Sequence, residues 1–172
     1  MSNTYIQGGF AFTCSAFEAA LLEEAFGLSD DLAAEFVVQS PSPEFCAVFG
    51  SDADGDAIEG FASLFPDPDY PFLECDLYVA SKTDEAARCD VVISSVTDLQ
   101  VDALAKVIQR CCADTLSRGP IGSEWAVSNS RPHIGEFGGG WCAIFADKIV
   151  CESTGDGLAR ALAGSPSLPV AG

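Results

Sequence analysis

The chain has little positive charge and almost no imidazole. It has 8 lysines and arginines against 26 aspartates and glutamates, and one histidine, His133, in 172 residues. A formal net charge of −18 disfavours direct binding to nucleic acid, since phosphate contacts dominate that affinity and need a basic surface. One histidine and no Cys-x-x-Cys leave no usual zinc-ligand spacing, so no metal is assigned. No apolar run approaches the ~20 residues of a membrane span, and no membrane role is expected. The opening MSNTYIQGG lacks the basic stretch and cleavage pattern of a secretion signal. Gly-x-Ser-x-Gly, His-Glu-x-x-His and Walker sequences are also missing, so no cofactor is expected and no catalytic residue is assigned outright.

What is there points to a folded domain. Apolar residues make up 48% of the chain, too many for disorder. The length suits one domain over residues 1–164, divisible into halves 1–86 and 87–164, with 165–172 as a flexible tail. The charge is uneven: residues 1–88 carry 17 acids and 2 bases, and residues 89–172 carry 9 and 6. The 8 cysteines sit mostly among apolar residues. Without a secretion signal they read as reduced, buried thiols in a cytoplasmic protein.

Periodicity and punctuation set the expected elements. Thr4–Phe12 reads as a strand with a bulge at Gly8-Gly9. Ser15-x-x-Glu18 is a capping box, opening a helix with Phe17, Leu21, Leu22, Ala25 and Phe26 inward and Glu18, Glu23 and Glu24 toward water. Gly27 is expected to end it, and Ser29-Asp30-Asp31 to cap a second, shorter helix to about Val37. Phe45–Phe49 reads as a strand, Ile58–Leu64 as a strand or short helix, and Phe72–Ala80 as a half-buried strand with an acidic outer face. Asp90–Val96 is a further strand. Thr97-x-x-Gln100 opens the strongest helix, with Leu104, Val107, Ile108 and Cys111 inward. A strand through Trp125 then precedes a hairpin, Trp141–Ala146 and Ile149–Cys151, turning at Asp147-Lys148. A last helix spans 157–163. An offset of 82 aligns Ser15 with Thr97 and Phe26 with Ile108, which suggests two β-α-β-β-β pseudo-repeats. The expected fold is α+β: a mostly antiparallel twisted sheet with helices packed on it.

Three sites compete. The first is acidic: Glu23, Glu24, Asp30, Asp31, Asp52, Asp54, Asp56 and Glu59, presented on helix faces and a turn for a basic protein partner. Asp52, Asp54 and Asp56 have the alternating spacing of a calcium loop, but Ser63 stands where the closing glutamate belongs, so the stretch reads as a solvated turn. The second is the loop of Arg131, His133 and Glu136, which supplies an anion holder, a base and its orienting carboxylate. Cys142 is a nucleophile there if His133 activates it. The third is a small-ligand pocket lined by Trp125, Trp141 and Gly138–Gly140. Gly138–Gly140 lead into a strand rather than a helix N-terminus, so they read as a bent strand approach and not a phosphate cradle.

Trp125, Ser130-Arg131-Pro132, Gly135-Glu136-Phe137 and Gly138–Gly140 together resemble a segment of small acidic proteins encoded on bacterial plasmids and other mobile elements. The resemblance covers about a third of the chain, from Cys89 to Cys151. It implies an accessory role and no catalytic residues. The expected function is protein–protein contact through the acidic surface, as an inhibitor or nucleic-acid mimic of a mobile element. The alternative is a small enzyme or ligand binder built on the Arg131–His133–Glu136 loop beside Gly138–Gly140.

Overall fold

The computed structural model describes residues 3–50, 56–81, 88–131 and 137–164. In chain order the elements are β1 (Thr4–Ser15), α1 (Ala16–Ala33), α2 (Pro43–Phe49), α3 (Ala57–Ala62), β2 (Asp76–Ser81), β3 (Arg88–Ser95), α4 (Val101–Cys111), α5 (Ala113–Leu116), β4 (Ile121–Asn129), β5 (Gly138–Ile144), β6 (Ile149–Ser153) and α6 (Thr154–Leu162). The strands form one open sheet in the order β2-β3-β1-β4-β5-β6, with every neighbouring pair antiparallel. The fold is α+β, as the sequence leads one to expect. β3 lies between β1 and β2, the strands joined through α1, and β1 lies between β3 and β4, the strands joined through α4. The centre of the sheet is therefore two interlocked split β-α-β units, extended by the β5–β6 hairpin.

Residues paired directly across an antiparallel sheet share a face. Cys14–Cys89, Phe12–Val91, Phe10–Ile93 and Ile121–Ile144 are such pairs. Cys14, Val91, Ile93 and Ile144 are wholly buried in the core with Leu22 and Phe26 of α1 and Val107 and Ile108 of α4. The other face carries Gly9, Ala11, Ser94, Tyr78, Glu124 and Ala126, all exposed, and stays open at these positions. Phe45, Phe49 and Phe61 form an aromatic cluster with centroids 4.4–5.9 Å apart, which joins α2 to α3. Gly60 is required there, because a Cβ would collide with the Phe49 carbonyl.

Several expectations are corrected. Phe45–Phe49 is helix: Ser42 caps it, accepting from the Phe45 N–H at 3.0 Å, and Pro43 takes the first helical position. Of the two readings of Ile58–Leu64 the short helix holds, as α3, capped by Asp56, whose carboxylate accepts from the Ile58 N–H at 2.8 Å. Gly27 and Ser29 do not divide α1. It runs unbroken to Ala33, and Glu35, at φ 54°, ends it where glycine commonly stands. The bulge at Gly8-Gly9 is absent, since both pair in register with Ser95 and Ser94. The strand expected from Phe72 starts only at Asp76, because Glu74 is left-handed at φ 52°. The Thr97 capping box does not form. Its backbone instead joins β1, Ile6 N–H donating to the Thr97 carbonyl at 2.6 Å and Leu99 N–H to the Ile6 carbonyl at 3.1 Å, so α4 starts at Val101. The helix starts therefore do not share the expected offset, and the first unit has two strands among the described residues where the β-α-β-β-β pattern has four.

Glu18 does not face water. It is 2% exposed, and its carboxylate accepts from the Ser15 N–H and hydroxyl and from the Thr115 N–H and hydroxyl, at 2.7–2.9 Å. The cysteines are not all thiols: Cys142 and Cys151, opposite in the β5–β6 register with Cα atoms 4.1 Å apart, form a disulfide. Cys142 is thus no free nucleophile.

Candidate functional site

The acidic residues do not form one surface, because the helical period of α1 sorts them. Glu23 and Asp30 lie seven residues apart and share one side; Glu24 and Asp31 share the adjoining one. Glu23 and Asp30 line a cleft of about 440 Å³ with Phe26, Phe72, Glu74, Cys75 and Asp76, and residues 95–97 also line it. The sequence points to the first two carboxylates and sets Glu74 and Asp76 on an acidic strand face; the fold turns them to meet α1. The turn depends on Ser29, whose hydroxyl donates to the Pro71 carbonyl and accepts from the Leu73 N–H, both at 2.9 Å. Leu73 is thereby buried, and left-handed Glu74 redirects the chain into β2. A non-glycine residue held left-handed stores strain, a feature concentrated at functional sites.

The electrostatics of the cleft are unbalanced. Burial raises the pKa of Asp30 above its ordinary value, and the neighbouring charges of Asp31 and Asp76 raise it further. Cys75 is pushed up to about 12, first by burial and then by Asp76 and Asp30, so it stays a neutral thiol at physiological pH. Among the described residues no lysine or arginine lines the cleft.

No protein-family model matches the chain, and neither does any curated protein or solved structure. The site is therefore read from its own geometry.

The remaining sequence candidates scatter. Glu24 is engaged in holding α2, accepting from the Ser42 N–H at 2.7 Å and hydroxyl at 2.6 Å. Together with Asp31 it lines a separate depression of about 330 Å³. Asp56 is the α3 cap, and Glu59 is exposed on α3 away from the cleft lining. Asp52 and Asp54 lie outside the described residues, as do His133, Glu136 and the tail 165–172. Arg131 is described and exposed. Trp125 and Trp141 do not share a pocket: Trp125 pairs with Gly8 and Gly140 and packs on the core, while Trp141 pairs with Glu124 on the open face. Gly138–Gly140 lie inside β5, and Cβ atoms at Gly139 and Gly140 would collide with the Trp125 backbone and ring respectively. Among the described residues no group of histidine, cysteine and carboxylate side chains could hold a metal, and no helix is long and apolar enough to cross a membrane.

Proposed function

We propose that this protein acts by contact with a basic protein, which inserts cationic side chains into the cleft of Glu23, Asp30, Glu74 and Asp76. The observation that carries this reading is convergence: two carboxylates of α1 and two from the turn into β2 line one cleft, and no base lines it among the described residues. Carboxylates held together unpaired destabilise a fold, and a cation supplied by a partner removes that cost. The net charge of −18 accelerates encounter with a basic surface. The mobile-element resemblance adds a finer reading, in which the partner handles nucleic acid and the carboxylates stand in for phosphates.

The test compares the immobilised protein with a Glu23→Gln/Asp30→Asn/Asp76→Asn variant of unchanged circular dichroism. Host lysate treated with nuclease is passed over both and eluted with a salt gradient. A basic protein that leaves the variant at clearly lower salt is expected. The same elution from both, or no basic protein on either, rejects the cleft as the contact site.

A further inference from the structure

On the open face of the sheet, β1 and β4 part. Their register runs from Thr4–Asn129 to Gly8–Trp125 and stops. Beyond it, β1 continues to Ser15 beside β3, and β4 reaches back to Ile121 beside β5. The fork holds a depression of about 430 Å³ lined by Gly9, Gly122, Glu124, Trp141 and Ala143.

The floor is open because two strand residues lack side chains. At Gly9 and Gly122 a Cβ would meet nothing within 4 Å. Gly8 is different: its Cβ would lie 2.8 Å from Leu99 Cδ2, so packing demands glycine there. Packing does not demand it at Gly9 or Gly122, where glycine weakens a strand with no return to the fold. What it leaves is space at the foot of an aromatic ring and a carboxylate.

Those two groups belong to one row across the sheet. Glu124 pairs with Trp141, and Trp141 pairs with Glu152, so the indole stands between two carboxylates on one face. On the Glu152 side the cation is present: Arg160 of α6 forms an ion pair with Glu152. On the Glu124 side, which borders the depression, the carboxylate is exposed and no described residue pairs with it.

We propose that this notch is an arginine-binding site, taking the guanidinium of an arginine side chain from a partner protein. A guanidinium lies flat on an indole while its N–H fork meets a carboxylate in plane, which Trp141 and Glu124 provide on adjacent strands. The glycine floor admits the aliphatic stem. Base stacking on Trp141 by a nucleic acid is opposed by Glu124 and by the charge of the whole chain. The site shares no residue with the acidic cleft, and neither reading depends on the other.

The test is an ¹⁵N–¹H titration with acetyl-Gly-Arg-Gly-amide and with its citrulline counterpart, which keeps the shape and removes the charge. Saturable shifts at the Gly9, Gly122 and Glu124 amides and the Trp141 indole N–H are expected. Citrulline and the Glu124→Gln variant are each expected to weaken binding about fivefold, as loss of an exposed cation–π and charge-assisted contact implies. Gly122→Val fills the notch and should abolish binding. If that variant disturbs the whole spectrum, Glu124→Gln, a change on an exposed side chain, decides. Glu23→Gln/Asp30→Asn should leave these shifts unchanged, which separates this site from the cleft. Equal response to citrulline, indifference to Glu124→Gln, or shifts confined to the cleft overturns the proposal.

Discussion

Glu18 is the one charged side chain that the described fold buries, and it ties the start of α1 to Thr115 in α5. Burial pushes its pKa up, but the hydrogen bonds from Thr115 and Ser15 together outweigh it and hold the carboxyl below its ordinary value. A carboxylate depressed in the folded state contributes stability that is complete above its unfolded pKa. That contribution is lost as pH falls through the folded value. Glu18→Ala is expected to cost about 2–4 kcal/mol at pH 7, since it strands buried donors of a charge-assisted network. The difference from wild type should shrink as pH drops below 4.5, the ordinary value for the group. Urea unfolding of both proteins at pH 7, 4.5 and 3 measures it, and a difference independent of pH would mean that Glu18 is replaceable by any polar side chain. The sequence disclosed half of this role. Ser15-x-x-Glu18 spells the capping box, but Thr115 is distant in the chain and leaves no local sign, so the acid reads as solvent-facing even though its i,i+4 spacing from Leu22 sets it on the buried side of α1.

At the scale of elements, local signals gave way wherever a tertiary bond outweighed them. Gly27 and Ser29 spell a helix end and a new cap, yet α1 passes through both, because Leu28 is buried and the Ser29 hydroxyl is spent on Pro71 and Leu73. Thr97 spells a cap, yet its backbone pairs with Ile6. One other departure is legible in the sequence, the helix α2. Ser42-Pro43 is a helix-start pair, and Phe45 and Phe49 are one helical turn apart; the short aromatic run read equally as a strand. The hairpin turn at Asp147-Lys148 is observed, the Phe145 N–H donating to the Lys148 carbonyl at 2.8 Å, and this register sets Cys142 opposite Cys151. Alternation marks the strand at Trp125, and a short apolar run marks the one at Trp141. The acidic cleft was half readable, since its α1 side follows helical spacing and its β2 side depends on the turn at Glu74. Ser29→Ala tests the bond that sets this turn. Alanine favours a helix more than serine does, so local propensity alone predicts a gain. Loss of about 1–3 kcal/mol is expected instead, from the buried Leu73 N–H and Pro71 carbonyl left without a partner. The urea midpoint reads the loss, and faster hydrogen exchange at the Leu73 amide locates it.

Over the whole molecule, acidity and architecture do not spread evenly. The half that contributes β1, α1, α2, α3 and β2 carries 17 acids and 2 bases, and β2 forms one edge of the sheet while the nearly balanced β5–β6 hairpin forms the other. Repulsion within the acidic half opposes folding, and the cleft of Glu23, Asp30, Glu74 and Asp76 gathers part of it in one place. Salt screens exposed charges, with a Debye length of ~10 Å at 0.1 M and ~3 Å at 1 M, and leaves buried networks such as that of Glu18 largely untouched. The urea midpoint should therefore rise between 0.05 and 0.5 M sodium chloride, opposite to the fall expected of a fold held by surface ion pairs. Glu23→Gln/Asp30→Asn/Asp76→Asn should be more stable than wild type at low salt and should show a smaller rise. If its rise equals that of wild type, the repulsion is diffuse and the cleft is no special store of it. If the rise shrinks, the fold maintains the four-carboxylate cluster against its own stability, which is what a site awaiting a cationic partner requires and a merely acidic surface does not.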